Sequence, residues 1–386
     1  MTQESSRRDF LRGRSAAKAL GDAMGGAVRA TWLPEGSSDD GLSRDSLAEG
    51  TLGGGVVRAA DESYLIQISR RAMACEFEIR LSAGRYGHGT ELALKALDLV
   101  ETLEEQMSVF RPDSEICRIN RTADAEPVVI EPRLFELLQL AMRLYSETDG
   151  ALDLTTGPLW EVWGFARRAG AVPDAASLAD ALGRVGGRHV ELDAEQKSVR
   201  FRRSGVWLSL GCIGKGYALD RCAEMLLGGG INDFLIHGGQ SSVLARGGQT
   251  AARDPANPLE TSWEVGIAHP LRPNRRFAEI RLSDRALATS GCWAQSFIHQ
   301  GHRYGHILDP RTGQPVEGVL STTVVAPTAA LADALSTAFY VMGPDRMLDY
   351  CRDRPEIGAV MACPVRHSGG IEIQSIGLTE DELRFL

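Results

Sequence analysis

Residues 208–239 read LSLGCIGKGYALDRCAEMLLGGGINDFLIHGG. The glycine-rich run from Gly211 to Gly216 leads into a helix from about Gly216 to Leu227, which Gly228-Gly229-Gly230 stops. Phe234 to His237 follows as a strand and runs into Gly238-Gly239. A glycine-rich entry to a helix presents free N–H groups and a favourable dipole to an anion, and Lys215 adds a positive charge. The spacing is not that of a P-loop. Only Cys212 and Ile213 separate Gly211 from Gly214-Lys215, and Gly216 stands where Ser or Thr is required. That disfavours an unrelated nucleotide hydrolase.

Upstream, Tyr64 to Ile68 and Phe77 to Leu81 alternate as strands around Met73-Ala74-Cys75. Thr90 to Met107 carries a helical stripe of Leu92, Ala96, Leu99, Val100, Leu103 and Met107. Pro132 to Thr148 is a further helix, opened by its proline and ended by Asp149-Gly150. Downstream, strands are expected at Trp263 to Ile267, Phe277 to Leu282 and Ser321 to Val325, and a helix from Ala329 to Met342 ended by Gly343-Pro344. Helices interspersed with strand pairs, without a βαβ rhythm, predict an α+β fold rather than a doubly wound sheet.

The chain has 386 residues, 43% hydrophobic and 24% charged, enough for a large core. A net charge of −9 argues against nucleic acid as the main partner. The seven cysteines, at 75, 117, 212, 222, 292, 351 and 363, form no C-x-x-C, which argues against a zinc site or a disulfide framework. Nowhere does an uncharged apolar run reach the ~18 residues of a membrane helix. Residues 1–33 form a basic segment in which Ser6-Arg7-Arg8-Asp9-Phe10-Leu11 looks like a twin-arginine export signal. Arg14, Lys18, Asp22 and Arg29 interrupt the apolar core such a signal wants. Use of the arginine pair implies a periplasmic or inner-membrane-associated protein, and otherwise a cytoplasmic one. Residues 34–63, rich in Gly, Ser and Asp, read as a flexible linker, and 64–386 as the folded domain.

Two further segments carry chemistry. Tyr304-Gly305-His306-Ile307-Leu308-Asp309-Pro310-Arg311-Thr312-Gly313 reads as a strand running into a turn. In Ala332-Asp333-Ala334-Leu335-Ser336-Thr337-Ala338, Asp333 and Thr337 fall on one helix face. A carboxylate on so apolar a helix faces something specific, and oxygen donors of this kind suit Mg²⁺ shared with substrate phosphates. Asp153, in Asp149-Gly150-Ala151-Leu152-Asp153, fits a turn cap as well as a ligand contact. Ser114 fits a helix cap, and Phe110 either a connection or a cover stacked on a flat ring.

Taken in order, these segments resemble the ApbE family, the FAD:protein FMN transferases, from about Met73 to Gly343. The ordered set is S-x-F-R-x-x-S-E-I-x-x-I-N, D-G-A-L-D-x-T-x-G-P-L with W-G-F, G-K-G-Y-A-L-D, G-G-Q-S, T-S-G, H-I-L-D-P-R-T-G and A-D-A-L-S-T-A. The resemblance implies a two-lobed fold with mixed or antiparallel sheets flanked by helices, and FAD in the cleft between lobes. It implies transfer of the FMN half of FAD, with Mg²⁺, onto a Thr or Ser of a partner flavoprotein and release of AMP. The partner would be a flavin-carrying subunit of a membrane redox complex. Alternatives on the same fold are a non-catalytic FAD binder and an FAD pyrophosphatase.

Residue by residue, the resemblance puts Asp333 and Thr337 on the metal with Ser336 beside them, and adds the backbone carbonyl of Cys212. It assigns FAD contacts to Met73, Phe110, Ala151, Leu152, Asp153, Ser209, Lys215, His306 and Leu308. His306 is the candidate for proton removal from the attacking hydroxyl, or for contacting the pyrophosphate. Four departures bear on flavin affinity and on the balance of hydrolysis and transfer. Met73-Ala74-Cys75 replaces Met-Gly-Thr, Ser209 and Gln240 stand where aspartates are usual, and Phe110 stands where tyrosine is frequent.

Overall fold

In a computed structural model, which describes residues 65–249, 261–291, 295–365 and 370–386, eight strands form one sheet. In chain order they are β1 (Leu65–Ala72), β2 (Cys75–Ser82), β3 (Phe234–Gly238), β4 (Ser242–Arg246), β5 (Ala286–Gly291), β6 (Ser321–Ala326), β7 (Gly358–Pro364) and β8 (Ile371–Ile376). Their order across the sheet is their order in the chain, and each neighbouring pair is antiparallel. The α+β expectation and the antiparallel sheet are therefore met. The basic segment and linker expected over 1–33 and 34–63 lie outside the described residues, as does Cys292.

Both faces of the sheet are covered, and the strands alternate between two cores rather than between core and water. Phe234, Ile236, Leu244, Ala286, Ala288, Val324, Ala326, Ala359 and Met361 point to one core. Leu235, Val243, Ala245, Leu287, Val325 and Val360 point to the other. A period-two pattern buried on both sides reads as a continuous apolar run, as in the SVLAR of β4. That is why β4 and β7 leave no alternation to read in the sequence.

Helices α1 (Gly89–Met107), α2 (Glu115–Thr122), α3 (Pro132–Glu147), α4 (Gly214–Gly228), α5 (Ala329–Met342) and α6 (Pro344–Arg352) contribute to the first core. α1 buries Ala93, Ala96, Leu97, Val100, Leu103 and Met107 and packs on α4, which in turn packs on α5. The second core lies against a three-stranded sheet of Trp263–His269, Arg272–Leu282 and Leu383–Phe385. Ser114 caps α2, its hydroxyl accepting from Cys117 N at 3.0 Å. The Gly343-Pro344 stop is real for α5, but Pro344 also opens α6, because proline fits the first turn of a helix.

Two details aim residues at one end of the sheet. The β1–β2 turn is made by Met73 and Ala74, both with positive φ, 49° and 58°, so the side chains of a tight hairpin are held in a conformation usually left to Asn or Gly. Between β5 and β6, a separate hairpin of Ser296–His299 and His302–Gly305 delivers His306 at its base.

Candidate active site

The start of α4 sets the site. Gly216 is in the first turn, where an N–H has no partner inside the helix. It donates instead to Asp333 Oδ2 of α5 at 3.0 Å. The other carboxylate oxygen, Oδ1, accepts from Ser242 Oγ of β4 at 3.1 Å and lies 3.4 Å from Lys215 Nζ. Asp333 is only 5% exposed, so these three donors account for how a carboxylate is tolerated on an apolar helix. α4 and α5 come this close because Gly216 has no side chain: a Cβ there would lie 2.1 Å from Ala329 O.

Below the carboxylate runs a row of hydroxyls. Ser336 Oγ donates to Asp333 O at 2.9 Å, and Ser290 Oγ of β5 lies 2.9 Å from Ser336 Oγ and 3.1 Å from Thr337 Oγ1. Cys212 precedes the α4 cap residue Ile213. Burial pushes the Cys212 thiol up to about 12, and that of Cys75 at the end of the β1–β2 turn up to about 11; the charges of Asp333 and Lys215 act on both. Both thiols are therefore protonated at neutral pH, and the donors of the site are oxygens. Burial disfavours charge on Lys215, but Asp333, together with Cys75 and Cys212, outweighs it and holds the ammonium above its ordinary pKa.

His306 is closed onto Gln295: its N–H donates to Gln295 O at 3.1 Å, and its Nδ1 is 3.0 Å from the same oxygen. A carbonyl only accepts, so Nδ1 carries the proton and Nε2 keeps a lone pair. Trp160 meets the ring edge-on, with centroids 6.0 Å apart. Burial, and then the nearby charge of Lys215, hold the His306 pKa below its usual 6.5, so the ring is neutral at pH 7.

The remaining expected residues make no bond to this cluster. Among the described residues, no hydrogen bond or ion pair joins Met73, Phe110, Ala151, Leu152, Asp153, Ser209 or Leu308 to Asp333, Lys215 or Thr337. Asp153 serves as the turn cap: Oδ1 accepts from Thr155 N at 2.7 Å and Thr155 Oγ1 at 2.6 Å, and Oδ2 from Gly187 N at 3.2 Å. Ala151 and Leu152 are each 1% exposed. Ser209 N donates to Leu154 O at 2.7 Å, fastening the approach to α4 beside that loop. Asp153 also borders a cleft of about 190 Å³ with Arg188 and Arg311, too small to enclose a dinucleotide. Leu308 is buried in a satellite core with Leu159 and Trp163. Met73 N donates to Glu104 Oε2 at 2.9 Å, and Phe110 is 72% exposed at the rim.

Sequence reasoning missed Ser242, Gln295 and Glu104 and gave Ser290 no role. Ser242 follows the Gly-Gly-Gln-Ser run and Ser290 is the middle of Thr-Ser-Gly, but only strand pairing carries them to Asp333 and Ser336.

The model of the ApbE family matches residues 73–361. The chain belongs to the ApbE family. It is 31% identical over 255 residues to a FAD:protein FMN transferase of Klebsiella pneumoniae, covering 64% of this chain and 70% of that one. With a FAD:protein FMN transferase of Vibrio cholerae it shares 33% identity over 252 residues, covering 64% and 72%. Among solved structures it is similar to the ApbE protein of Thermotoga maritima, with TM-score 0.71 and 29% identity over 80% of this chain and 96% of that one. The flavin transferase ApbE of Vibrio cholerae gives TM-score 0.70 and 27% identity over 81% and 97%.

Proposed function

We propose that this chain transfers the FMN half of FAD to a Thr or Ser hydroxyl of a partner flavoprotein, releasing AMP. The observation that carries the reading is the oxygen-lined middle of α5, Asp333 with Ser336 and Thr337, set against Lys215 at the N-terminus of α4. A helix N-terminus with a lysine receives a pyrophosphate well. Membership of a family whose relatives bear the name FAD:protein FMN transferase supports the choice of FAD.

The donor chemistry fits Mg²⁺. Among the described residues no group of three or more His, Cys, Asp or Glu is arranged to hold a metal, which speaks against a zinc-like cage. One carboxylate with hydroxyl and carbonyl oxygens suits a hard ion that keeps waters and substrate phosphates as its other ligands. Asp333, Thr337 and the Cys212 carbonyl would hold it, with Ser336 alongside. When bound, Mg²⁺ neutralises charge on the pyrophosphate.

The protein's own groups do the rest. Lys215 orients the pyrophosphate. The acceptor oxygen attacks the FMN phosphorus as the bond from that phosphorus to the bridging oxygen breaks, and AMP leaves with the bridging oxygen and its negative charge. The hydroxyl proton passes to the lone pair on His306 Nε2. Phe110 covers the flavin ring by stacking, with Met73, Ala151, Leu152, Asp153, Ser209 and Leu308 forming the rest of the FAD surface. The acceptor is a flavin-carrying subunit of a membrane redox complex.

The test is incubation with FAD, Mg²⁺ and a peptide bearing Asp-x-x-Ser/Thr-Gly-Ala-Ser/Thr, followed by mass spectrometry. An FMN adduct with free AMP is expected. FMN and AMP without adduct would make the chain a pyrophosphatase, and retained FAD with neither product a binder.

His306 makes a separate prediction. Because its pKa is depressed, the neutral base persists below pH 6.5, and the acid limb of kcat/KM should fall below that value. His306→Asn should remove the limb and lower the rate by about 10²–10⁴-fold. Linkage has the same sign: the unfolded ring takes a proton near 6.5 and the folded ring resists, so stability is lost as pH falls below about 6.5. An acid limb above pH 6.5 that survives in the variant would take His306 out of the proton transfer.

A further inference from the structure

Asp333 is one half of a reciprocal arrangement. On α4, one turn beyond Gly216, Asp220 faces the start of α5: its Oδ1 accepts from Ala329 N and its Oδ2 from Ala330 N, both at 2.8 Å. Thr328 Oγ1 accepts from Leu331 N at 3.3 Å, so the first three amides of α5 all have partners. Each helix thus supplies a carboxylate to the N-terminus of the other. The spacing is the same in both directions, since Asp220 lies four residues after Gly216 and Asp333 four residues after Ala329. The bare Cα of Gly216, packed on Ala329, is the point where the two helices cross.

We infer that Asp220 is a positioning residue for the proposed metal and pyrophosphate site, fixing where α5 begins and thereby where Asp333, Ser336 and Thr337 stand. The inference rests on the reading of Asp333 as a metal-bearing residue. None of the hydrogen bonds found for Asp220 reaches the site's oxygens, so it acts through α5. A helix is stiff over one turn, and the first turn of α5 is immediately followed by Asp333. Moving Ala329 and Ala330 therefore moves the ligands, and Gly216 loses its acceptor. Two N–H groups need two acceptor oxygens on one short side chain, which aspartate has. Asparagine offers one oxygen, and its NH₂ would meet an N–H donor. The negative charge also suits a helix N-terminus.

The experiment uses the full chain and two readouts that do not need turnover. In Asp220→Asn, hydrogen exchange at the Gly216 amide should quicken by roughly tenfold or more, while amides in the middle of α1 keep their protection. Mn²⁺ binding, followed by electron paramagnetic resonance in the presence of FAD, should weaken by about tenfold, and FAD binding measured without metal should change less than about twofold. Asp220→Glu keeps the charge and shifts the oxygens by one methylene. It should weaken Mn²⁺ binding with little change in melting temperature, which keeps the test decisive should the asparagine variant not fold. Unchanged Gly216 exchange and Mn²⁺ affinity in a folded variant would overturn the inference. So would a parallel loss of Mn²⁺ and metal-free FAD binding, which is what general loosening would produce. Retained Mn²⁺ affinity in Asp333→Ala would instead withdraw the metal reading, and with it the metal half of the inference, while Gly216 exchange still decides whether Asp220 positions α5.

Discussion

Asp333→Ala should lower FMN transfer by about 10³-fold, the scale seen when a charge-stabilising group is taken from an active site. The carboxylate accepts from Gly216 N and Ser242 Oγ and neutralises Lys215, so three groups lose their partner at once. The cost to stability falls toward the low end of the ~3–5 kcal/mol seen when a buried ion pair loses one member, because the Lys215 side chain is 25% exposed and water screens part of the loss. Asp333→Asn separates the two effects. It keeps the shape and one acceptor oxygen but not the charge opposite Lys215, so part of the stability should recover while transfer stays low. Transfer rates and urea unfolding of both variants measure this, and activity within a few-fold of the wild type in Asp333→Ala would remove Asp333 from the chemistry.

Gly216→Ala should be nearly as damaging without touching any charged group. The added Cβ would stand 2.1 Å from Ala329 O, 2.4 Å from Ala329 C and 2.7 Å from Ala330 N. All three are backbone atoms at the start of a helix, so no side chain can swing aside and α4 and α5 must separate. Overpacking a core costs ~1–3 kcal/mol, and a backbone clash belongs at the upper end. For a folded region spanning 65–386, at ~2.1 cal/mol/K per residue, about 3 kcal/mol is a fall of roughly 5 °C in melting temperature. Transfer should vanish with it, since the separation pulls Asp333 from Gly216. A melting temperature within about 2 °C of the wild type, by calorimetry, would show that the two helices do not meet as described.

The parts of the fold legible in the sequence are those where one face meets water or a turn residue marks an end. α1 shows itself by its apolar stripe and α5 by the Gly343-Pro344 stop at its end. β4 does not, because Val243 and Leu244 are buried on opposite faces and leave no polar alternation to read. The order of strands in the sheet was likewise hidden, since it depends on pairings between distant segments. Asp333, Thr337 and Lys215 were legible because helix periodicity and a glycine run place them locally. Ser242 was not: its bond to Asp333 spans 91 residues and exists only once β4 lies beside α5. For Asp153 the turn role was legible from the Asp-Gly run, and its bonds to Thr155 and Gly187 show it.

The crossing of α4 and α5 also bears on how the chain comes off the ribosome. Gly216 and Asp333 are 117 residues apart, so at ~5–20 residues per second α4 waits roughly 6–23 s for its counterpart. Until then Lys215 has no counter-ion and Gly216 no acceptor. A nascent chain thus holds the anion-binding turn before it holds the carboxylate that completes the site. The Lys215–Asp333 pair therefore forms only after α5 has been made.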